Sequence, residues 1–189
     1  KKIFIKNNIL TPKYLKFSYR NNNNNMKLLN NLQKKIGFPL VVKPLNEGSS
    51  VNVFICKKNN VLRTLKKLND YGEVLLEKYI PGREIQVAIL SDNILGAIEL
   101  KPKRKFYDYE AKYNPKAKTE HLIPINITKH EYKKVTSIAL RAHKLLKCKG
   151  VTRSDFIFFK KNFYLLETNT QPGMTSLSLV PEIAKFNNI

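Results

Sequence analysis

The chain has 189 residues, 42% of them hydrophobic, a formal charge of +21 and two cysteines. That is enough apolar material for one domain or two small lobes with a real core, and too much for a disordered segment. No apolar run approaches the roughly 18 residues of a membrane span, and the apolar stretch at 3–5 is too short for the core of an export signal, so the chain reads as cytoplasmic, with no membrane partner. Cys56 and Cys148 are far apart, lack metal-ligand spacing and read as reduced thiols. His121, His130 and His143 show no metal-ligand spacing either and read as solvated surface. The positive charge is nearly all Lys, spread along the chain beside abundant Asn and Ile, as drift toward A- and T-rich codons would produce. No nucleic-acid partner is expected from it, because scattered lysines give only weak, salt-sensitive binding. The chain opens on Lys1 and stops at Ile189 in a helix-like segment, the pattern of a fragment.

In chain order, residues 1–9 read as the remnant of a helix that Thr11-Pro12 ends, followed by a strand over 14–19. The asparagine tract 21–25 is a solvated loop. Leu28, Leu29, Leu32 and Ile36 recur with helical spacing until Gly37 and Pro39, and 40–42 is a buried strand presenting Lys43. The small-residue loop 44–50 could wrap phosphate oxygens with its amides and hydroxyls, and a strand over 51–56 follows. A helix carrying Val61, Leu62, Leu65 and Leu68 leads through Gly72 to a strand over 74–78. After Pro81-Gly82 comes a hairpin, 84–90 and 94–100, turning at Ser91-Asp92-Asn93.

Residues 101–119 are rich in Lys, Tyr and Pro without apolar periodicity. Phe106, Tyr107, Tyr109 and Tyr113 argue for a lid, since disordered linkers are poor in aromatics. Thr128 and Glu131 form a capping box for a helix whose face is Val135, Ile138, Ala142, Leu145 and Leu146.

The most informative stretch closes the chain. A strand over 151–159 turns at Lys160-Lys161-Asn162 and returns over 163–169, ahead of a Pro172-Gly173 turn. Glu167 and Asn169, at i and i+2, share a strand face. A turn centred on Lys161 sets Asp155 opposite Glu167 and Arg153 opposite Asn169, with directly opposed Cβ atoms about 4.5–5.5 Å apart. Two carboxylates, an amide and a guanidinium therefore converge, and a hard cation such as Mg²⁺ would relieve the like charges. The competing reading is an internal Arg153–Asp155 salt bridge serving only the core.

Taken in order, Gly37-Phe-Pro-Leu-Val-Val-Lys-Pro, Glu47-Gly-Ser-Ser-Val, Glu77-Lys-Tyr, Gly82-Arg-Glu, Phe106-Tyr-Asp-Tyr-Glu-Ala-Lys-Tyr, Cys148-Lys-Gly, Arg153-Ser-Asp and Glu167-Thr-Asn-Thr-Gln-Pro-Gly-Met-Thr-Ser make a specific set. The set resembles the D-alanine:D-alanine ligases of the ATP-grasp superfamily over nearly the whole chain. The resemblance implies an α+β ATP-grasp fold of two α+β lobes that bind nucleotide between them, 1–78 as the small lobe and 79–189 as the large lobe with lid, metal and substrate site. It implies that Lys2 and Lys43 contact ATP phosphates, that Glu77, Lys78 and Ile80 line the adenine pocket and that Glu84 takes the ribose hydroxyls. Asp155, Glu167 and Asn169 would hold two Mg²⁺ or Mn²⁺ ions. Lys112 would reach the γ-phosphate, Tyr113 and Ser49 would close over substrate, and Ser178 with Gly173 would bind the alanine carboxylate. Arg153 and the Gly173 amide would stabilise an oxyanion.

The implied activity is ATP-dependent ligation of two D-alanines through an acyl phosphate, in peptidoglycan precursor synthesis, by a homodimer. The alternatives are a truncated nucleotide-binding remnant without full activity, or an ATP-grasp ligase with another acceptor. The family carries a further domain ahead of the stretch that matches Lys1, with a Glu for the amine of the first D-alanine. Within the motifs this sequence departs at Asn52, where Gly is common, at Ser154, a usually apolar site, and at Leu177, where His is frequent.

Overall fold

The computed structural model describes residues 1–19, 25–48, 50–101 and 119–189. In chain order the elements are α1 (Lys2–Lys6), β1 (Tyr14–Ser18), α2 (Asn25–Lys35), β2 (Leu40–Pro44), β3 (Phe54–Cys56), α3 (Val61–Lys67) and β4 (Glu73–Lys78). There follow β5 (Arg83–Leu90), β6 (Asn93–Lys101), β7 (Glu120–Leu122), α4 (Lys129–Leu145), β8 (Val151–Phe159), β9 (Asn162–Asn169) and α5 (Leu179–Phe186). The described residues form two compact units, one of Pro12–Ile80 and one of Lys1–Thr11, 81–101 and Thr119–Ile189.

In the Pro12–Ile80 unit, four antiparallel strands lie in the order β1-β4-β2-β3. Period-two alternation turns Leu40 and Val42 of β2, and Val74 and Leu76 of β4, to one face. Leu32 of α2 and Val61 and Leu65 of α3 cover that face, and all of these side chains are buried. Gly37 ends α2 as the sequence predicts, with φ +76° and its amide donating to the Leu32 carbonyl at 2.9 Å. The strand expected over 51–56 is shorter. Ser50 and Asn52 adopt left-handed φ of 60° and 54°, so extended backbone begins only at Phe54.

The other unit holds a five-stranded antiparallel sheet, β7-β6-β5-β8-β9. One face of it, with Ile85, Val87, Ile89, Phe156 and Leu165, packs on Val135, Ala139 and Ala142 of α4. Burying each such Val, Leu, Ile or Phe is worth about 1.5–3 kcal/mol before conformational entropy is counted. The capping box forms: the Glu131 amide donates to Thr128 Oγ1 at 3.2 Å and the Thr128 amide to Glu131 Oε2 at 2.9 Å. The expectation of a solvated His143 fails, because the helical period carries it, four residues after Ala139, onto the sheet side of α4. It is buried, with Nδ1 2.9 Å from Thr152 Oγ1. Among the described residues no helix is long and apolar enough to cross a membrane.

The β8–β9 hairpin reaches the expected pairing by an unexpected route. Its turn is the two-residue Lys160-Lys161, both with positive φ, which alone shifts the register by one. A bulge between Asp155 and Phe156, leaving Leu166 without an opposite residue, shifts it back. Asp155 therefore faces Glu167, and Arg153 faces Asn169.

Candidate active site

Because Ile85, Val87 and Ile89 face α4, their neighbours Glu84 and Gln86 project from the other side of the sheet. Gln86 lies opposite Asp155, and Glu84 opposite Ile157. With the β8–β9 register, Glu84, Gln86, Arg153, Asp155, Glu167 and Asn169 gather on one face at the strand ends before the Gly173 turn.

Arg153 donates to Asp155 through Nε at 2.8 Å and through Nη2 at 3.0 Å. The internal salt bridge of the competing reading is thus present, and it fixes the Asp155 carboxylate, whose side chain is 6% exposed. Asn169 Oδ1 accepts the Gln171 amide at 3.0 Å, which pins its side chain and starts the turn into Pro172-Gly173. Lys1 Nζ donates to the carbonyl of Leu166, the bulged residue, at 2.8 Å. On the opposite face Ser154 Oγ meets Thr168 Oγ1 at 2.9 Å, which accounts for a hydroxyl at a usually apolar position.

A divalent cation suits this donor set. Asp155, Glu167 and Asn169 offer only oxygen, the choice of hard cations, and the fully buried Gln86 beside them has an Oε1 without a hydrogen-bond partner among the described residues. Among the described residues no three His, Cys, Asp or Glu side chains cluster as a metal site.

Beyond the strand, Gly173 and Ser178 meet closely. A Cβ on Gly173 would lie 2.9 Å from Ser178 Oγ, so a side chain there would displace the hydroxyl. Ser178 precedes α5 as its N-cap residue, yet its hydroxyl does not cap the helix. It instead receives the Thr175 amide at 3.0 Å and meets Thr175 Oγ1 at 2.9 Å. The amides opening α5 are left without that cap, at the helix end that favours a carboxylate.

In the Pro12–Ile80 unit, Lys43 and Glu77 lie on the sheet face away from the helices, with Lys43 Nζ 3.1 Å from Glu77 Oε2. Their side chains are 20% and 4% exposed, so the charge of one offsets burial of the other. Lys78 sends Nζ to the Phe38 carbonyl at 3.0 Å, and Ile80 is half-buried. Lys2 is exposed on α1. Ser49, Lys112 and Tyr113, with the lid segment around the last two, fall outside the described residues. The sequence reading did not single out Gln86, opposite Asp155, or Lys1, bonded to the Leu166 carbonyl. A polar Glu-x-Gln alternation in an apolar strand was the available signal for Gln86, and nothing local marks Lys1.

Comparison with known proteins identifies the fold and the family. Two structures of D-alanine–D-alanine ligase from Bacillus anthracis match over the whole chain, one (TM-score 0.83, 35% identity, 60% of that chain covered) and one complexed with ATP (TM-score 0.80, 30% identity, 58% covered). The two antiparallel α+β units thus define an ATP-grasp fold. A D-alanine–D-alanine ligase of Pelagibacter ubique (strain HTCC1062) is 64% identical over 189 residues, covering 100% of this chain and 62% of that protein. The family model described as D-ala D-ala ligase C-terminus matches residues 3–188, and the chain belongs to that family. It spans about three-fifths of the length of the relatives it matches.

Proposed function

We propose that the protein carrying this chain is a cytoplasmic homodimer that joins two D-alanines at the expense of ATP, supplying the dipeptide for peptidoglycan precursors. The observation that carries this reading is the shared face of Asp155, Glu167 and Asn169 directly ahead of the Gly173–Ser178 contact, in a chain whose relatives are named D-alanine–D-alanine ligases.

On this reading Lys2 and Lys43 bind ATP phosphates, Glu77, Lys78 and Ile80 line the adenine pocket and Glu84 takes the ribose. Asp155, Glu167 and Asn169 hold two Mg²⁺ or Mn²⁺ ions. Bound there, the cations neutralise phosphate charge, on which phosphoryl transfer depends. Ser178 and Gly173 orient the first D-alanine so that its carboxylate oxygen attacks the γ-phosphorus and ADP leaves. The product is an acyl phosphate, an electrophile that a free carboxylate is not. The amine of the second D-alanine then attacks the carbonyl carbon. Arg153 and the Gly173 amide receive the oxyanion, and phosphate departs as the amide forms. Lys112 reaches the γ-phosphate, while Tyr113 and Ser49 close over the site and keep water from the acyl phosphate.

ADP release tested with D-alanine against other amino and hydroxy acids checks the substrate. Turnover only with a different acceptor would overturn D-alanine as the substrate. Asp155→Asn and Glu167→Gln should each cost about 100-fold or more in metal-dependent turnover. Near-normal rates in either would contradict the metal assignment.

A further inference from the structure

The Ser178 hydroxyl is held by one residue, Thr175. Thr175 donates its amide to Ser178 Oγ at 3.0 Å, its own hydroxyl oxygen lies 2.9 Å from the same atom, and its carbonyl accepts the Ser178 amide at 2.9 Å. The two residues close a reciprocal turn ahead of α5 that keeps Oγ from capping the helix. On another side Gly173 leaves Oγ bare. At the position of the missing Gly173 Cβ, 2.9 Å from Oγ, the only other described heavy atom within 4 Å, apart from the glycine and its chain neighbours, is Ser178 Cβ. A ligand atom can reach the hydroxyl along that side.

A serine hydroxyl has one proton to donate and two lone pairs that accept. The Thr175 amide occupies one lone pair, and between the two hydroxyls either oxygen can be the donor. A carboxylate decides between them, because it accepts and cannot donate. The Ser178 proton then points to the carboxylate, and the Thr175 proton to Ser178 Oγ. Thr175 now fills both lone pairs of Oγ, so the Ser178 O–H has one direction left. Each bond in the relay from Thr175 through Ser178 to the carboxylate also polarises the next.

We propose that Thr175 is a positioning residue for the substrate carboxylate: it fixes Ser178 Oγ by two hydrogen bonds and turns the Ser178 hydroxyl into a donor aimed at that carboxylate. This rests on the reading of Ser178 as the residue that binds the alanine carboxylate. Thr175 acts through Ser178 and touches no reacting atom.

The test titrates D-alanine calorimetrically into the protein carrying this chain, saturated with Mg²⁺ and the β,γ-imido analogue of ATP. Thr175 is exposed, and Thr175→Val keeps its amide and branched shape while removing the hydroxyl. It should weaken D-alanine binding about fivefold, within what one hydrogen bond contributes. Thr175→Ser keeps the hydroxyl and should bind within about twofold of the unsubstituted protein. Ser178→Ala should lose about tenfold or more, and adding Thr175→Val to it should cost nothing further, because the pair acts as one unit. Unchanged affinity in Thr175→Val overturns the proposal, as does a Thr175→Ser as weak as Thr175→Val. A double variant whose loss is the product of the two single losses also overturns it, since that marks a residue that merely shapes the turn. If Ser178→Ala binds D-alanine normally, or the unsubstituted protein binds none, the carboxylate reading itself fails; if Ser178→Ala is weak and Thr175→Val is not, only the role of Thr175 fails.

Discussion

Replacing Arg83 by Met should destabilise the sheet of β5 and β6 far more than a surface substitution would. Glu99 of β6 is 1% exposed and lies opposite Ile85, on the face that packs against α4. Its carboxylate is met by Arg83 Nε at 2.7 Å and by Arg83 Nη2, which also donates to the Asn126 carbonyl at 2.8 Å. The guanidinium stands 5.6 Å from the centre of the Phe158 ring. The hydrogen bonds to Glu99 first, and then the charges of Glu99 and Glu131, hold Arg83 above its ordinary pKa against the lowering effect of burial. Breaking a buried pair by removing one partner costs about 3–5 kcal/mol, because the other charge stays buried. The Arg83 side chain is 38% exposed, so solvent already screens the pair and the low end, about 3 kcal/mol, is expected. Replacing both partners by Met removes the buried charge as well, and the double variant should recover most of the loss. Denaturant titration followed by far-ultraviolet circular dichroism, with hydrogen exchange at the β5 and β6 amides to separate the two units, measures all corners of the cycle. A loss under about 1 kcal/mol for Arg83→Met, or a double variant as unstable as the two single losses added, would refute the reasoning.

Gly82→Ala places a Cβ 2.5 Å from the Phe158 carbonyl oxygen and 2.6 Å from Ile157 Cγ2, and backbone cannot yield as a side-chain tip can. It should cost about 1–3 kcal/mol in denaturant titration, and a neutral result would show that β5 and β8 can part locally. Glu131 is held below the ordinary carboxylate range, first by the Thr128 amide and then by the Thr128 hydroxyl. A depressed folded pKa gives stability that is complete above the ordinary value of 4.5 and fades as pH falls through the lowered one. The advantage of the natural protein over Glu131→Gln in thermal unfolding should therefore shrink on acidification below that range. An advantage that stays constant with pH would contradict the capping assignment.

Much of this protein is written locally. Gly37, the Thr128–Glu131 box and the apolar alternation of β2, β4, β5, β8 and β9 depend on nearest neighbours and on periods of 2 and 3.6, so they can be read before any tertiary contact is known. The ordered motifs likewise identify the family, because each carries side chains whose chemistry survives without coordinates. What only the tertiary structure decided depends on residues far apart in the chain. His143 is buried because α4 rolls it toward Thr152, and Lys43 is paired because β2 lies beside β4 and brings Glu77 within reach. The meeting of Asp155 with Glu167 needed the bulge at Leu166 to undo the shift of a turn tighter than expected, and the Leu166 carbonyl is satisfied by Lys1 from the other end of the chain. Gln86 is the clearest case. Its polar alternation with Glu84 is legible in the sequence, but only the strands on either side decide that its oxygen is buried and unsatisfied.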